Sequence, residues 1–284
     1  MGLCFQDRQI FTILLFCLIG TFQYDKVYPA NDNYPTGTRF SAMGNVGVTC
    51  PDLWSVSHNQ AGLGLYNHLS VGFHHENKFA LSEFSLNSAA FTLPTLTGTF
   101  GLSYTYFGYS SYHESKIGLG FGKSLNRWLS AGLQFNYLNT YVADETGNLN
   151  GMTIEAGIIA KPLQNFSIGF HIYNPTGASF TSLSEKERIP VIVNLGVGYE
   201  YDEKLFIGIE ALKDLEMTQV YLKTGIEYKL IQHIYIRTGL IISELINHSF
   251  GFGFEIKKIR ADIAFSYQQI IGYTPHFSVQ YNFR

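Results

Sequence analysis

Apolar and small polar side chains alternate in this chain for roughly nine to eleven residues at a stretch, and that period of two leaves few folds open. One run puts Leu129, Ala131, Leu133, Phe135 and Tyr137 on one face, with Ser130, Gly132, Gln134 and Asn136 on the other. Others place His248, Phe250, Phe252, Phe254 and Ile256 opposite Ser249, Gly251, Gly253 and Glu255, or Ala261, Ile263, Phe265 and Tyr267 opposite Asp262, Ala264 and Ser266. A soluble antiparallel sandwich also alternates, but its strands average only about five or six residues and its outer faces are rich in Lys and Glu. Here charged residues make up 14% of the chain and aromatics 15%. Whole Phe and Tyr side chains line the apolar face, against Gly, Ser, Asn and Gln. Lipid outside and a polar lumen inside suit that division, and the strand length suits a tilted crossing of a bilayer.

Segments of this kind recur near residues 68–78, 82–93, 97–108, 114–125, 128–142, 150–161, 165–174, 189–201, 204–213, 218–230, 232–243, 246–256, 259–269 and 275–284. The expected fold is therefore all-β: a transmembrane antiparallel β-barrel of about 14 strands. "SLNR", "KPLQN", "YDEK", "LIQ" and "KK" read as tight turns, whereas "GYSSYHE", "ADETGNLN", "NPTGASFTSLSEKERI" and "IIGYTP" read as longer loops on the opposite side. The last run alternates Phe277, Val279, Tyr281 and Phe283, with Arg284 after the aromatic. It is expected to pair with the first strand, which removes both sheet edges, and to be read by the barrel-assembly machinery.

The start of the chain sets the compartment. Arg8 precedes the uncharged run Ile10–Phe22, so residues 1–22 read as a secretory signal peptide cleaved near Gly20 to Gln23; a retained membrane anchor is the alternative. "LLFC" lacks the small residue that a lipoprotein signal needs before Cys17, so no lipid anchor is expected. Cys4 and Cys17 leave with the signal, and Cys50 alone makes neither an internal disulfide nor a cysteine zinc site. A net charge of -3 gives no electrostatic case for nucleic acid.

Residues 23–67 break the pattern. "WSVSHNQAGLGLYN", Trp54 to Asn67, neither alternates nor forms a clean amphipathic helix. The stretch Gly37 to Gly64 carries Gly37, Arg39, Ala42, Met43, Gly44, Asn45, Gly47 and Val48, then Asp52, Ser55, Asn59, Ala61, Gly62 and Leu63. This resembles the N-terminal signature of the FadL-like outer-membrane barrel superfamily, including the PorV/PorQ-type proteins of Bacteroidota. Gln60 stands where that signature usually has proline, which removes one backbone restraint from the turn. The resemblance implies that residues 23–67 form a periplasmic or lumenal hatch, a small plug folded into the barrel of residues 68–284.

Two features bear on such a plug. Inward glycines, among them Gly118, Gly120, Gly122, Gly196, Gly198, Gly251 and Gly253, either make room for its backbone or ease curvature. Polar groups of Ser55, Asn59 and Gln60 are placed to bond the lumen, and inward charges of both signs suggest ion-pair networks rather than an ion-selective pore. Those charges are Lys116, Glu155, Glu200, Glu210, Lys223, Glu227, Arg237, Glu255, Arg260 and Asp262.

Catalysis finds little support. His74 and His75 are adjacent on one strand and point to opposite faces. His58, His68, His113, His171, His233, His248 and His276 are scattered without ligand spacing, and neither G-x-S-x-G nor H-E-x-x-H occurs. The sequence thus points to no enzyme, no catalytic residue, no cofactor and no metal ligand. The resemblance implies an outer-membrane protein in contact with lipid that handles or transports a small hydrophobic molecule. Arg39, Trp54, Ser55, Asn59, Gln60, Gly62, Leu63 and Leu65 form the hatch site, with an apolar ligand expected near Trp54, Leu63 and Leu65. The alternative is a non-conducting accessory or shuttle that meets the proteins of a type IX-like secretion system. The longest loop, Asn174 to Ile189, offers only Phe180 and Leu183 as apolar anchors, and both suit packing on the rim better than collecting a lipid tail.

Overall fold

The computed structural model describes residues 33–143, 147–180, 188–269 and 272–283. The signal peptide expected at residues 1–22, the first part of the 23–67 segment, Leu183 and Arg284 lie outside the described residues. The wall begins with β1 (Ser70–Asn77), β2 (Ser85–Pro94), β3 (Thr99–Tyr109), β4 (Tyr112–Ser124) and β5 (Leu129–Val142). It continues with β6 (Gly147–Leu163), β7 (Phe166–Tyr173), β8 (Ile192–Tyr201), β9 (Leu205–Asp214) and β10 (Val220–Ile231). It ends with β11 (Ile234–Ile242), β12 (Ile246–Ile256), β13 (Ile259–Gln268) and β14 (Gly272–Asn282). Each strand pairs antiparallel with its sequence neighbours, and β1 pairs with β14, so the sheet closes without an edge.

The alternation sorts side chains as expected. Phe73, Phe135, Met152, Ile209 and Phe252 stand outward and exposed, while Ser130, Gln134 and Asn136 are buried inside. A continuous belt of such residues has no counterpart on a monomer in water and fits a wall facing hydrocarbon. Among the described residues no helix is long and apolar enough to cross a membrane, which bears on helices alone.

The loops correct one expectation. Ser110 and Ser111 alone join β3 to β4, although "GYSSYHE" reads as a longer loop. Stacking of Tyr106, His113 and Tyr141 carries the ladder to that rim. Likewise β6 begins within "ADETGNLN", where Asn139 donates to Asn148 and Asn150 across the β5–β6 pair. The β7–β8 connection is the longest, and Phe180 and Ile189 on its described part turn inward. Phe180 and Ile189 are buried against Leu138, Leu149 and Tyr173, so Phe180 packs on the rim.

Described residues before β1 run inside the barrel. Tyr34 packs on Phe107 near the loop end, and Tyr66 bonds Ser70 and Asn282 at the end that holds both barrel termini. Between them lie α1 (Thr38–Ala42), α2 (Ser55–His58) and a 3₁₀ turn at Gln60–Gly64. Gly37 begins this stretch at φ 98°, with the Trp54 ring where a side chain would be, so glycine is required twice over.

Candidate functional site

The inner segment is the candidate site, and its seat is built from bare backbone on the wall. Strand register aligns Gly198, Gly208, Gly225 and Gly239 across four successive strands. Gly122, Gly132 and Gly157 align in the same way on the other side. A Cβ at Gly239 would land on the backbone of Met43 and Gly44, and one at Gly132 on that of Gln60. Of the glycines singled out by sequence, Gly122, Gly196, Gly198 and Gly251 make room for the segment. Gly118 and Gly253 instead make room for wall side chains, Gln134 and Asn136 in one case and Arg237 in the other.

Leu63 fills the space over Gly101 and Gly120, and Leu53 reaches Gly72. Together with Phe40, Met43, Val46, Cys50, Trp54 and Val56 they form an apolar core inside the barrel. Fully burying a side chain such as Leu63 contributes about 1.5–3 kcal/mol. Trp54 and Leu63 are thus covered by the segment's own packing, and Leu65 is half-buried. The position expected for an apolar ligand, near Trp54, Leu63 and Leu65, is occupied here by the segment's own side chains. Cavities of about 160 and 190 Å³ lie towards the two ends of the barrel, each lined by polar and apolar groups in similar measure.

Three wall carboxylates hold the segment. Glu227 receives Arg39 through two nitrogens, Nε at 3.0 Å and Nη2 at 2.6 Å. Arg39 Nη1 also donates to Asp52 at 2.8 Å. Arg237 bridges Glu227 and Asp262, while Arg260 lies 3.7 Å from Asp52 and 3.3 Å from Asp262. Three arginines thus face three carboxylates with no net charge, the condition under which buried ions are tolerable. Glu155 accepts from Gln60 Nε2 at 2.8 Å and from Lys116 at 2.6 Å, with His171 Nε2 at 3.0 Å. Glu210 accepts from the backbone N–H groups of Gly47 and Val48.

Most hatch residues named from sequence meet here. Asn59 donates from Nδ2 to the carbonyls of Val48, Ile158 and Phe170, which ties the segment to β6 and β7. Gln60 is buried, and its side chain supplies restraint where proline would have acted through the backbone. Ser55 does not reach the lumen wall: its hydroxyl accepts from Asp52 N–H and donates to the Cys50 carbonyl. Gly62 packs against that hydroxyl. Glu255 and Glu200 lie outside the charge network, near the short-turn rim, Glu200 exposed. Cys50 is a buried free thiol, and burial pushes it up to about 12, which disfavours the thiolate form.

One grouping escaped sequence reasoning. His74 and His75 do face opposite ways, but His276 on β14 is the cross-strand partner of Glu76, which places it beside His74. The histidines are thus not all scattered; only the register of the first and last strands could have revealed this.

No family model matches the sequence, and no curated protein matches it. Solved structures do match in fold, along nearly their whole length. The CymD monoaromatic hydrocarbon channel gives a TM-score of 0.67 at 11% identity, covering 88% of this chain and 98% of its own. The Pseudomonas putida toluene transporter TodX gives 0.65 at 11% identity, covering 87% and 97%. A Pseudomonas aeruginosa FadL homologue gives 0.62 at 13% identity, covering 88% and 99%. The chain therefore has the closed fourteen-strand fold of FadL-type hydrocarbon channels.

Proposed function

We propose that this chain is a bacterial outer-membrane barrel that handles or transports a small hydrophobic molecule, with the segment up to residue 67 as a movable plug. The observation that carries the reading is how that segment is held. It takes no part in the wall's strand ladder, it lies along the path a solute would follow, and side-chain bonds with glycine contacts fix it. A solute reaches Trp54 or Leu63 only when the segment shifts, so gating and ligand binding are one event.

A disulfide tests this. A side chain at Gly101 would meet Val56 Cγ1, so Val56→Cys with Gly101→Cys can lock the segment to β3. In proteoliposomes, uptake of a labelled monoaromatic hydrocarbon is expected to stop on oxidation and to return with reductant. Equal uptake in both redox states sinks the plug reading.

The secretion-associated reading keeps one observation in its favour. In the described part of the β7–β8 connection, the large apolar side chains Phe180 and Ile189 pack inward rather than standing out to collect an apolar solute. It predicts no hydrocarbon uptake in either redox state and co-purification of a large secretion channel, including with the locked variant.

A further inference from the structure

We propose that His74, Glu76 and His276 form a binding site for a divalent transition-metal ion of the zinc class at the seam where the barrel closes. His74 Nε2 and His276 Nδ1 lie 4.0 and 3.4 Å from the same oxygen, Glu76 Oε2, and the three ligand atoms all fall within 4.8 Å of one another. Two imidazoles and a carboxylate are the donor set that zinc, cobalt, nickel and copper prefer over magnesium or calcium. Bonds of about 2.0–2.2 Å place tetrahedral ligands about 3.4 Å apart. Glu76 and His276 already have that spacing, and His74 closes the set by moving inward roughly 1 Å.

Two further observations point to a ligand. Both ring nitrogens are buried and neither makes a hydrogen bond among the described residues, a condition that is costly to leave unrelieved. Their opposite nitrogens are each held: His74 Nδ1 lies 3.0 Å from Thr38 Oγ1, and His276 Nε2 lies 2.9 Å from Ser266 Oγ. When those nitrogens donate to the hydroxyls, a lone pair on each ring is directed at the gap, which is how outer partners orient metal-bound histidines. Lys78 Nζ sits 3.7 Å from the other carboxylate oxygen, Oε1, and leaves Oε2 to the ion. Glu76 and His276 line the cavity of about 160 Å³, so a further coordination position faces space for water or an incoming donor. The competing account is an ion pair between Glu76 and a protonated His276, which takes up no metal.

The site would join β1 to β14 and, through Thr38, both to α1 of the inner segment. The test uses tag-free full-length protein in detergent, stripped with chelator and titrated with zinc by calorimetry and with cobalt by visible absorption. One zinc per barrel is expected, with cobalt d–d bands of a low-coordinate nitrogen–oxygen site. His276→Ala and Glu76→Gln should each weaken zinc by at least about tenfold, the loss that even an outer partner brings. His75→Ala, on the outer face, should change nothing. Glu76→Gln preserves side-chain shape and serves if His276→Ala fails to form the barrel. Absence of stoichiometric zinc, binding that survives both inner substitutions, or binding lost with His75→Ala would each overturn the assignment.

Discussion

The barrel wall and the segment inside it reach stability by opposite means. In the wall, every strand satisfies its backbone groups against two neighbours, so a side chain needs only the right polarity for its face. The segment has two short helices and one 3₁₀ turn, no ladder, and a seat made of individual contacts. A repeated local rule tolerates exchange within a class, such as Phe for Leu on the outer belt. A seat made of single residues does not. Substitutions at the seat should therefore release the segment while leaving the wall closed. Trp54 reports the seat directly once the other tryptophan, the exposed Trp128, is replaced by Phe.

The largest separation between the two regions is expected from Gly239→Val. Its new side chain would occupy the backbone of Met43 and Gly44, which have no rotamer with which to yield. A loss of seating on the order of 4 kcal/mol or more follows from overpacking against fixed backbone. Trp54 emission should shift red while strand circular dichroism stays unchanged. If both signals are lost together, the glycine serves the wall and the comparison fails.

Glu227→Ala comes next. It leaves Arg39, Arg237 and Arg260 facing only Asp52 and Asp262, a buried excess of positive charge. Breaking a buried pair from one side costs about 3–5 kcal/mol. Removing Arg39 as well should recover part of that loss, because the uncompensated charge leaves with it. Strict additivity of the two substitutions in Trp54 emission under urea would mean that the residues act separately.

The same contrast explains what the sequence could show. Strand positions are written locally, in a period of two that needs no knowledge of neighbours: β5 was expected near 128–142 and runs Leu129–Val142, and β12 runs Ile246–Ile256 as read. Residues such as Arg39, Asn59 and Gln60 were legible as a motif, but their partners were not. Pairing Arg39 with Glu227, or aligning Gly198 with Gly208, Gly225 and Gly239, depends on register between distant strands. The filled space around Trp54 and Leu63 was equally hidden, since composition does not say whether apolar residues line a pocket or occupy it. Ser55 looked like a lumen contact because a hydroxyl carries no sign of whether its bonds stay within the segment.

Acid provides the gentlest way to separate the two regions, through His58. Its ring is buried against Phe40 with centroids 4.3 Å apart, and its Nε2 donates to the Thr36 carbonyl at 2.8 Å. Burial holds this histidine down at about 4, below its ordinary value of 6.5. Once the segment is released the ring titrates near 6.5, so between the two values the released form binds more protons than the seated one. The seating free energy is therefore complete above about pH 6.5, falls as pH drops through the window, and is level again below about 4, a total of about 3 kcal/mol. The wall's backbone ladder gains no proton over this range. In a urea series at pH 7.5, 6 and 5, the midpoint of the Trp54 transition should move to lower urea while strand circular dichroism holds. In His58→Gln the midpoint should depend less steeply on pH; an undiminished slope there would assign the acid response to other groups.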